Sequence, residues 1–262
     1  MIMRRFSEAL KQQNWTAIAI EFVLLVLGVF LGIQVANWNE ARETRRKSLV
    51  FTERLKADLR AEDRTYQFLV AYNREVLANA NRAVEALEGN ASISEEALLV
   101  SAYRATQYRV RAQRSSTYDE LVSTGNIGLI RDHALRDTAI RFFNMTAFDD
   151  LVREGMQSRY REAFRMTLPN EVQRALGKHC GDRIPPPRPG VYNTISGNLD
   201  YPCRTGLPAQ TLAQSAQALR ANPDILKFLR ARIADLETRI FDLTRNNRSI
   251  MESLRAIATE PQ

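Results

Sequence analysis

Between Ala17 and Ala36 the chain reads AIAIEFVLLVLGVFLGIQVA, a run in which Glu21 is the sole charged residue. As an α-helix these residues rise about 30 Å, the thickness of a bilayer's hydrocarbon core. The run predicts a transmembrane helix over 16–38, between a short tail at 1–15 and a body at 39–262. No small-x-small cleavage site ends the run. Instead Trp38 sits between Asn37 and Asn39 and reads as an interfacial anchor, so a permanent single-pass span is expected.

Within the span, Gly28, Gly32 and Ala36 lie four residues apart and form a smooth stripe that another helix can approach closely. Glu21 is seven residues before Gly28, about 20° from the same face. A carboxyl facing lipid is costly, whereas against a partner helix it can hydrogen bond. Glu21, Gly28, Gly32 and Ala36 are therefore candidate helix-contact residues; snorkelling of Glu21 to the headgroups is the alternative. Gln34, near the far interface, receives no role. Arg4, Arg5 and Lys11 precede the span, and Arg42, Arg45, Arg46 and Lys47 follow it, so basic residues alone do not orient the chain.

Beyond Asn39 no proline or glycine occurs until Gly89, and Leu49, Leu55, Leu59, Tyr66, Leu69, Val76, Ala80, Val84 and Leu87 recur at helical spacing. This predicts one long amphipathic helix that needs partners for its apolar stripe. Ser92 and Glu95 suggest a capping box opening a helix to about Gln113. A short piece, STYDELVST, precedes Gly125. Asp132 is expected to cap a helix from His133 to about Leu168, stopped by Pro169. LPAQTLAQSAQALRA is a further helical stretch. Asn222, Pro223 and Asp224 form an N-cap, N1 and acidic first turn for a last helix through Leu254. The expected fold is all-α: the membrane helix continuing into an elongated antiparallel bundle with coiled-coil-like pairing, the last helix against the first.

A Pro- and Gly-rich loop at 177–208 is bracketed by Cys180 and Cys203. A disulfide between them would stabilise by about 3 kcal/mol on the chain-entropy model and would place the body in an oxidising compartment. Buried free thiols are the alternative. The loop thus favours a short cytoplasmic tail and an exported body; a wholly cytoplasmic body with reduced cysteines is the other orientation.

The formal charge of +7 raises the question of nucleic acid. Its arginines alternate with acids, as in ERLKADLRAEDR from Glu53 to Arg64, which is the pattern of a solvated helix face, and no nucleic-acid-binding motif is present. Histidine occurs only at 133 and 179, too few with the two cysteines for a metal centre. There is no GxxxxGK[ST] and no GxSxG, so no catalytic, cofactor or metal residue is assigned and an enzyme is not expected. Asp132–His133 and Asp149–Asp150 read as caps and surface.

Two stretches carry a resemblance. EFVLLVLGVFLGIQVANWNEARE, Glu21 to Glu43, and TYDELVSTGNIGLIRDHALRDTAIRFFN, Thr117 to Asn144, resemble an uncharacterised family of bacterial single-pass membrane proteins. Its members begin with a span of the type EIxLVxxGxxxxxQxxxWNE and continue into a charged helix. The resemblance implies anchoring in the bacterial inner membrane and no established activity. Tyr118, Glu120, Gly125 and Asn126 mark a possible recognition segment, with a packed turn as the alternative. The expected function is a non-enzymatic, membrane-anchored sensor or scaffold acting on a second copy or another membrane protein, with any small-molecule ligand unknown. The alternative is an accessory subunit of a transport or proton-driven complex in which Glu21 titrates.

Overall fold

The computed structural model describes residues 15–110, 113, 115–183 and 198–260, with side chains from residue 19 onward. Of the tail expected at 1–15, residues 1–14 lie outside the described residues and Trp15 is already helical; the centre of the cysteine loop, 184–197, also lies outside them. Most of those described are helical, with no strand among them. Helix α1 spans Trp15–Leu87, and no proline interrupts its ladder. It is followed by α2 (Glu95–Ala105), α3 (Ser116–Ser123), a 3-10 turn (Ile127–Leu129), α4 (His133–Phe143), α5 (Ala147–Met156) and α6 (Arg159–Thr167). Then come α7 (Asn170–Cys180), α8 (Ala209–Ala221), α9 (Pro223–Phe241), a π-helical segment (Asp242–Asn246) and α10 (Arg248–Thr259).

Two compact units divide the chain: Met1–Glu53 with Gly128–Arg131, and Arg54–Ile127 with Asp132–Gln262. In the first unit, α1 carries the apolar run. Its side chains from Ile20 to Val35 are exposed, Phe22 by 67% and Leu25 by 65%, so none of the other described residues covers them. It is a helix long and apolar enough to cross a membrane. The hydroxyl of Ser48, itself buried, donates to the carbonyl of Leu129.

The second unit is a bundle built on the rest of α1. Its main core joins Ala80 and Ala83 of α1 to Leu98 and Leu99 of α2, Phe164 of α6, Leu176 of α7, Leu219 of α8 and Leu229 of α9. The last helices run antiparallel to α1, as expected from the sequence. Arg230 pairs with Glu88 at 2.7 Å, Leu236 packs with Tyr72 and Val76, and Lys56 pairs with Glu260 at 2.7 Å. Between them, the buried Tyr66 hydroxyl donates to the carbonyl of Leu243. That carbonyl lies in the π segment, where the N–H of Asn247 bonds five residues back to Asp242. The wider turn displaces the usual i→i−4 partner of Leu243, and Tyr66 supplies a donor.

Several boundaries differ from those expected. The cap of α2 is Ser94, whose hydroxyl accepts from the N–H of Ala97 at 3.1 Å, not Ser92, and α2 ends at Ala105 rather than near Gln113. The helix expected from His133 to Leu168 is three helices. Asp132 caps the first as anticipated, accepting from the N–H of Leu135, but Asn144 ends it. Its side-chain amide bonds the Ile140 carbonyl at 2.7 Å and the Tyr118 hydroxyl at 3.0 Å, competing with the helix ladder. Ser158 restarts the chain as the N-cap of α6. Helix α7 extends to Cys180, so the start of the segment expected as loop, Gly177 to Cys180, is helical.

The close approach of α5 to the chain after α2 depends on Gly155. A Cβ there would lie 2.5 Å from Cβ of Tyr108 and 3.1 Å from its ring carbon. Gly155→Ala is expected to destabilise by about 1–3 kcal/mol, because the overlap is with the root of a side chain that cannot simply rotate away. An unchanged denaturant midpoint for this variant would contradict the packing described.

Candidate interaction sites

The exposed face of α1 contains the first group of expected residues. Among the described residues, nothing beyond the helix's own adjoining backbone comes within 4 Å of a Cβ built at Gly28 or Gly32, and Glu21 and Ala36 are exposed like their neighbours. Gly28, Gly32 and Ala36 sit on successive turns, each four-residue step rotating by about 40°, and Glu21 lies about two turns before Gly28. The face therefore offers a shallow groove beside one carboxylate, with an approach limited only by backbone. Trp38 is 66% exposed, and the guanidinium of Arg42, one turn on, lies 5.8 Å from its ring centroid.

The second group forms the end of α3. The N–H of Asn126 bonds the Leu121 carbonyl at 2.8 Å, and that of Gly125 bonds the Val122 carbonyl at 3.1 Å. Gly125 has φ of 70°, the left-handed geometry this double-bonded helix ending requires. Tyr118 stacks on Phe143 at 4.8 Å and accepts from Asn144. Glu120 pairs with Arg54 of α1 at 2.8 Å. Leu121 is fully buried. The four residues are thus brought together by a closed turn in which Tyr118, Glu120 and Asn126 each have a partner within the chain. Asn126 Nδ2 donates to Thr124 Oγ1, at 3.0 Å.

Cys180 and Cys203 form a disulfide, with Cα atoms 5.4 Å apart. Its support was not foreseen. Arg104, 5% exposed on α2, donates from Nε to the Cys180 carbonyl at 3.2 Å and from Nη2 to the Tyr201 carbonyl at 2.9 Å. Nη2 also lies 3.6 Å from Cys203 Sγ, and the guanidinium stacks 4.6 Å from the Tyr201 ring centroid. One buried cation therefore gathers both ends of the bridge. The Tyr201 hydroxyl in turn donates to the Gly181 carbonyl. Nearby, Glu96 accepts from the N–H and hydroxyl of Thr205, and those bonds hold its carboxyl below the usual range. Tyr72 donates to Asp182 at 2.8 Å; burial first, and then the Asp182 charge, push its phenol well above the ordinary value. An arginine on an otherwise amphipathic helix gives no sequence signal of such a role, because only folding brings residues 76 to 99 positions away against it.

Among the described residues no group of three or more His, Cys, Asp and Glu is placed to hold a metal ion. His133 opens α4, with Nδ1 2.7 Å from Arg136 Nη2, and His179 lies in the last turn of α7.

The family of unknown function DUF6090 matches residues 21–161. The chain belongs to that family. In this DUF6090 member the match begins at Glu21 and takes in the exposed glycine face, Trp38 and the Tyr118–Asn126 turn. Arg104 lies within it, whereas Cys180 and Cys203 lie beyond it. No curated protein and no solved structure matches the chain.

Proposed function

We propose that this DUF6090 member is a single-pass, membrane-anchored helical module that senses or scaffolds, without catalysis, through contact with a second copy or another membrane protein. The observation that carries this reading is the exposed apolar run of α1: from Ile20 to Val35 every large apolar side chain is exposed among the described residues. In water such a surface would be costly at about 25 cal/mol per Å2. In a bilayer it is satisfied. Gly28 and Gly32 then give the face on which a second helix can pack. The disulfide supports an oxidising location for the body, and with it the periplasmic side of a bacterial inner membrane.

Full-length protein should stay with membranes through an alkaline carbonate wash and need detergent for release. Recovery in the aqueous fraction would end the reading. The second reading, an accessory subunit of a transport or proton-driven complex, is favoured by Glu21 lying within the span near the glycine face. Glu21→Gln separates the two. Under the scaffold reading it weakens co-purification of the partner or second copy, together with Gly32→Leu; under the subunit reading assembly survives and ion-dependent activity is lost.

A further inference from the structure

A cleft of about 540 Å3 opens in the second unit where the end of α2, the length of α6 and the start of α7 meet. Its lining includes three guanidinium groups, Arg161 and Arg165 on α6 and Arg174 on α7, and no carboxylate. Arg161 is held: Nη1 donates to the Thr106 carbonyl at 3.3 Å, and the group lies 4.8 Å from the Tyr108 ring centroid. Burial, and then the charge of Arg165, lower its pKa. Arg165, one turn later, and Arg174 are exposed, and among the described residues neither makes an ion pair. Glu162 and Glu171, nearest in sequence, are exposed, lie outside the lining and pair with none of the three. Elsewhere in this unit cations meet acids: Arg239 reaches Glu154 at 2.6 Å and Asp242 at 3.0 Å, and Arg220 reaches Glu95 at 2.9 Å.

Neutral groups complete the cleft. Asn170, in its lining, begins α7, and Pro169 ahead of it offers no side-chain cap, so first-turn N–H groups of this eleven-residue helix lack a side-chain acceptor. Gln173 Nε2 donates to the Arg165 carbonyl at 2.8 Å and the Leu168 carbonyl at 2.7 Å, tying the two arginine-bearing helices together. Tyr103 and Phe164, with ring centroids 6.3 Å apart, give an apolar wall. The volume falls within the range of small-molecule sites, roughly 300–1,000 Å3.

We infer that this cleft binds a soluble small molecule through an oxyanion, a phosphate or a carboxylate, held by Arg161, Arg165 and Arg174. Planar guanidinium groups suit bidentate contacts to either oxyanion, and the absence of a competing carboxylate leaves their charge for the ligand. Such a ligand would brace α6 against α7, the helix that ends at the disulfide. The site stands on the folded body alone and does not depend on the membrane reading.

The test is calorimetric titration of the detergent-purified full chain with pyrophosphate and with citrate, at ionic strength fixed with sodium chloride. Saturable binding is expected for at least one probe, and the tighter one identifies the group recognised. Arg165→Gln with Arg174→Gln should weaken it roughly tenfold or more. Both side chains are exposed, so unliganded melting should not change. Arg245→Gln with Arg255→Gln, which removes the same charge outside the cleft, should leave binding intact. No saturable binding of either probe, or an equal loss in both double variants, overturns the proposal.

Discussion

Arg104→Ala is expected to lower the stability of the body by about 2–5 kcal/mol, since it removes the donor from two carbonyls at about 1–3 kcal/mol each. It strands the carbonyls of Cys180 and Tyr201 without their donor and leaves a void beside the Tyr201 ring. For a unit of this size the melting temperature should fall by roughly 10 °C. Reduction provides the discriminating control. In the parent chain, breaking the bridge should cost about 3 kcal/mol. In the variant the further cost should be smaller by about 0.5–3 kcal/mol, since arginine and disulfide hold the same segment. A melting temperature within a degree of the parent, or strictly additive losses, would mean that Arg104 does not organise the bridge.

Phe148→Ala should cost a comparable amount, about 3–5 kcal/mol. Phe148 is 1% exposed, and its ring meets Tyr66 edge-on at 4.9 Å and lies 6.5 Å from Phe142. Truncation leaves a ring-sized cavity among rigid aromatic neighbours that collapse poorly. The loss has a spectroscopic reporter. Burial pushes the Tyr66 phenol up to about 12, and water entering the cavity should bring its ultraviolet titration back toward 10. Phe148→Leu, which fills more of the space, should fall between parent and alanine variant. A Phe148→Ala protein with unchanged denaturant midpoint and unchanged tyrosine titration would contradict the account of this core.

The all-α fold, the antiparallel pairing of the last helix with the first and the caps at Asp132 and Asn222 were legible because each rests on local pattern. Heptad-like spacing of Leu55, Leu59, Tyr66 and Leu69 needs no knowledge of the partner to declare a helix. The breaks at Asn144 and Ser158 were not legible. Asn144 leaves the helix because Tyr118, 26 residues earlier, accepts from its amide, and an apolar period continues across such a break. The π segment is similarly hidden, since Leu236, Leu243 and Ile250 keep a regular spacing through it. At the candidate sites the cysteine pairing could be anticipated from the loop between the two residues. Arg104 and the arginine cleft could not, because the meaning of each guanidinium depends on whether a carboxylate meets it, and only the folded arrangement decides that.

The Lys56–Glu260 pair closes the bundle between residues 204 positions apart. On a ribosome adding about 5–20 residues per second, the stripe of Leu55, Leu59 and Tyr66 waits on the order of 10–40 s before its covering strand of sequence has been made. Such late-closing contacts slow the final folding step and leave apolar surface open to wrong associations in the interim. In the nascent chain the Lys56 contact therefore forms only after the segment around Glu260 has been made.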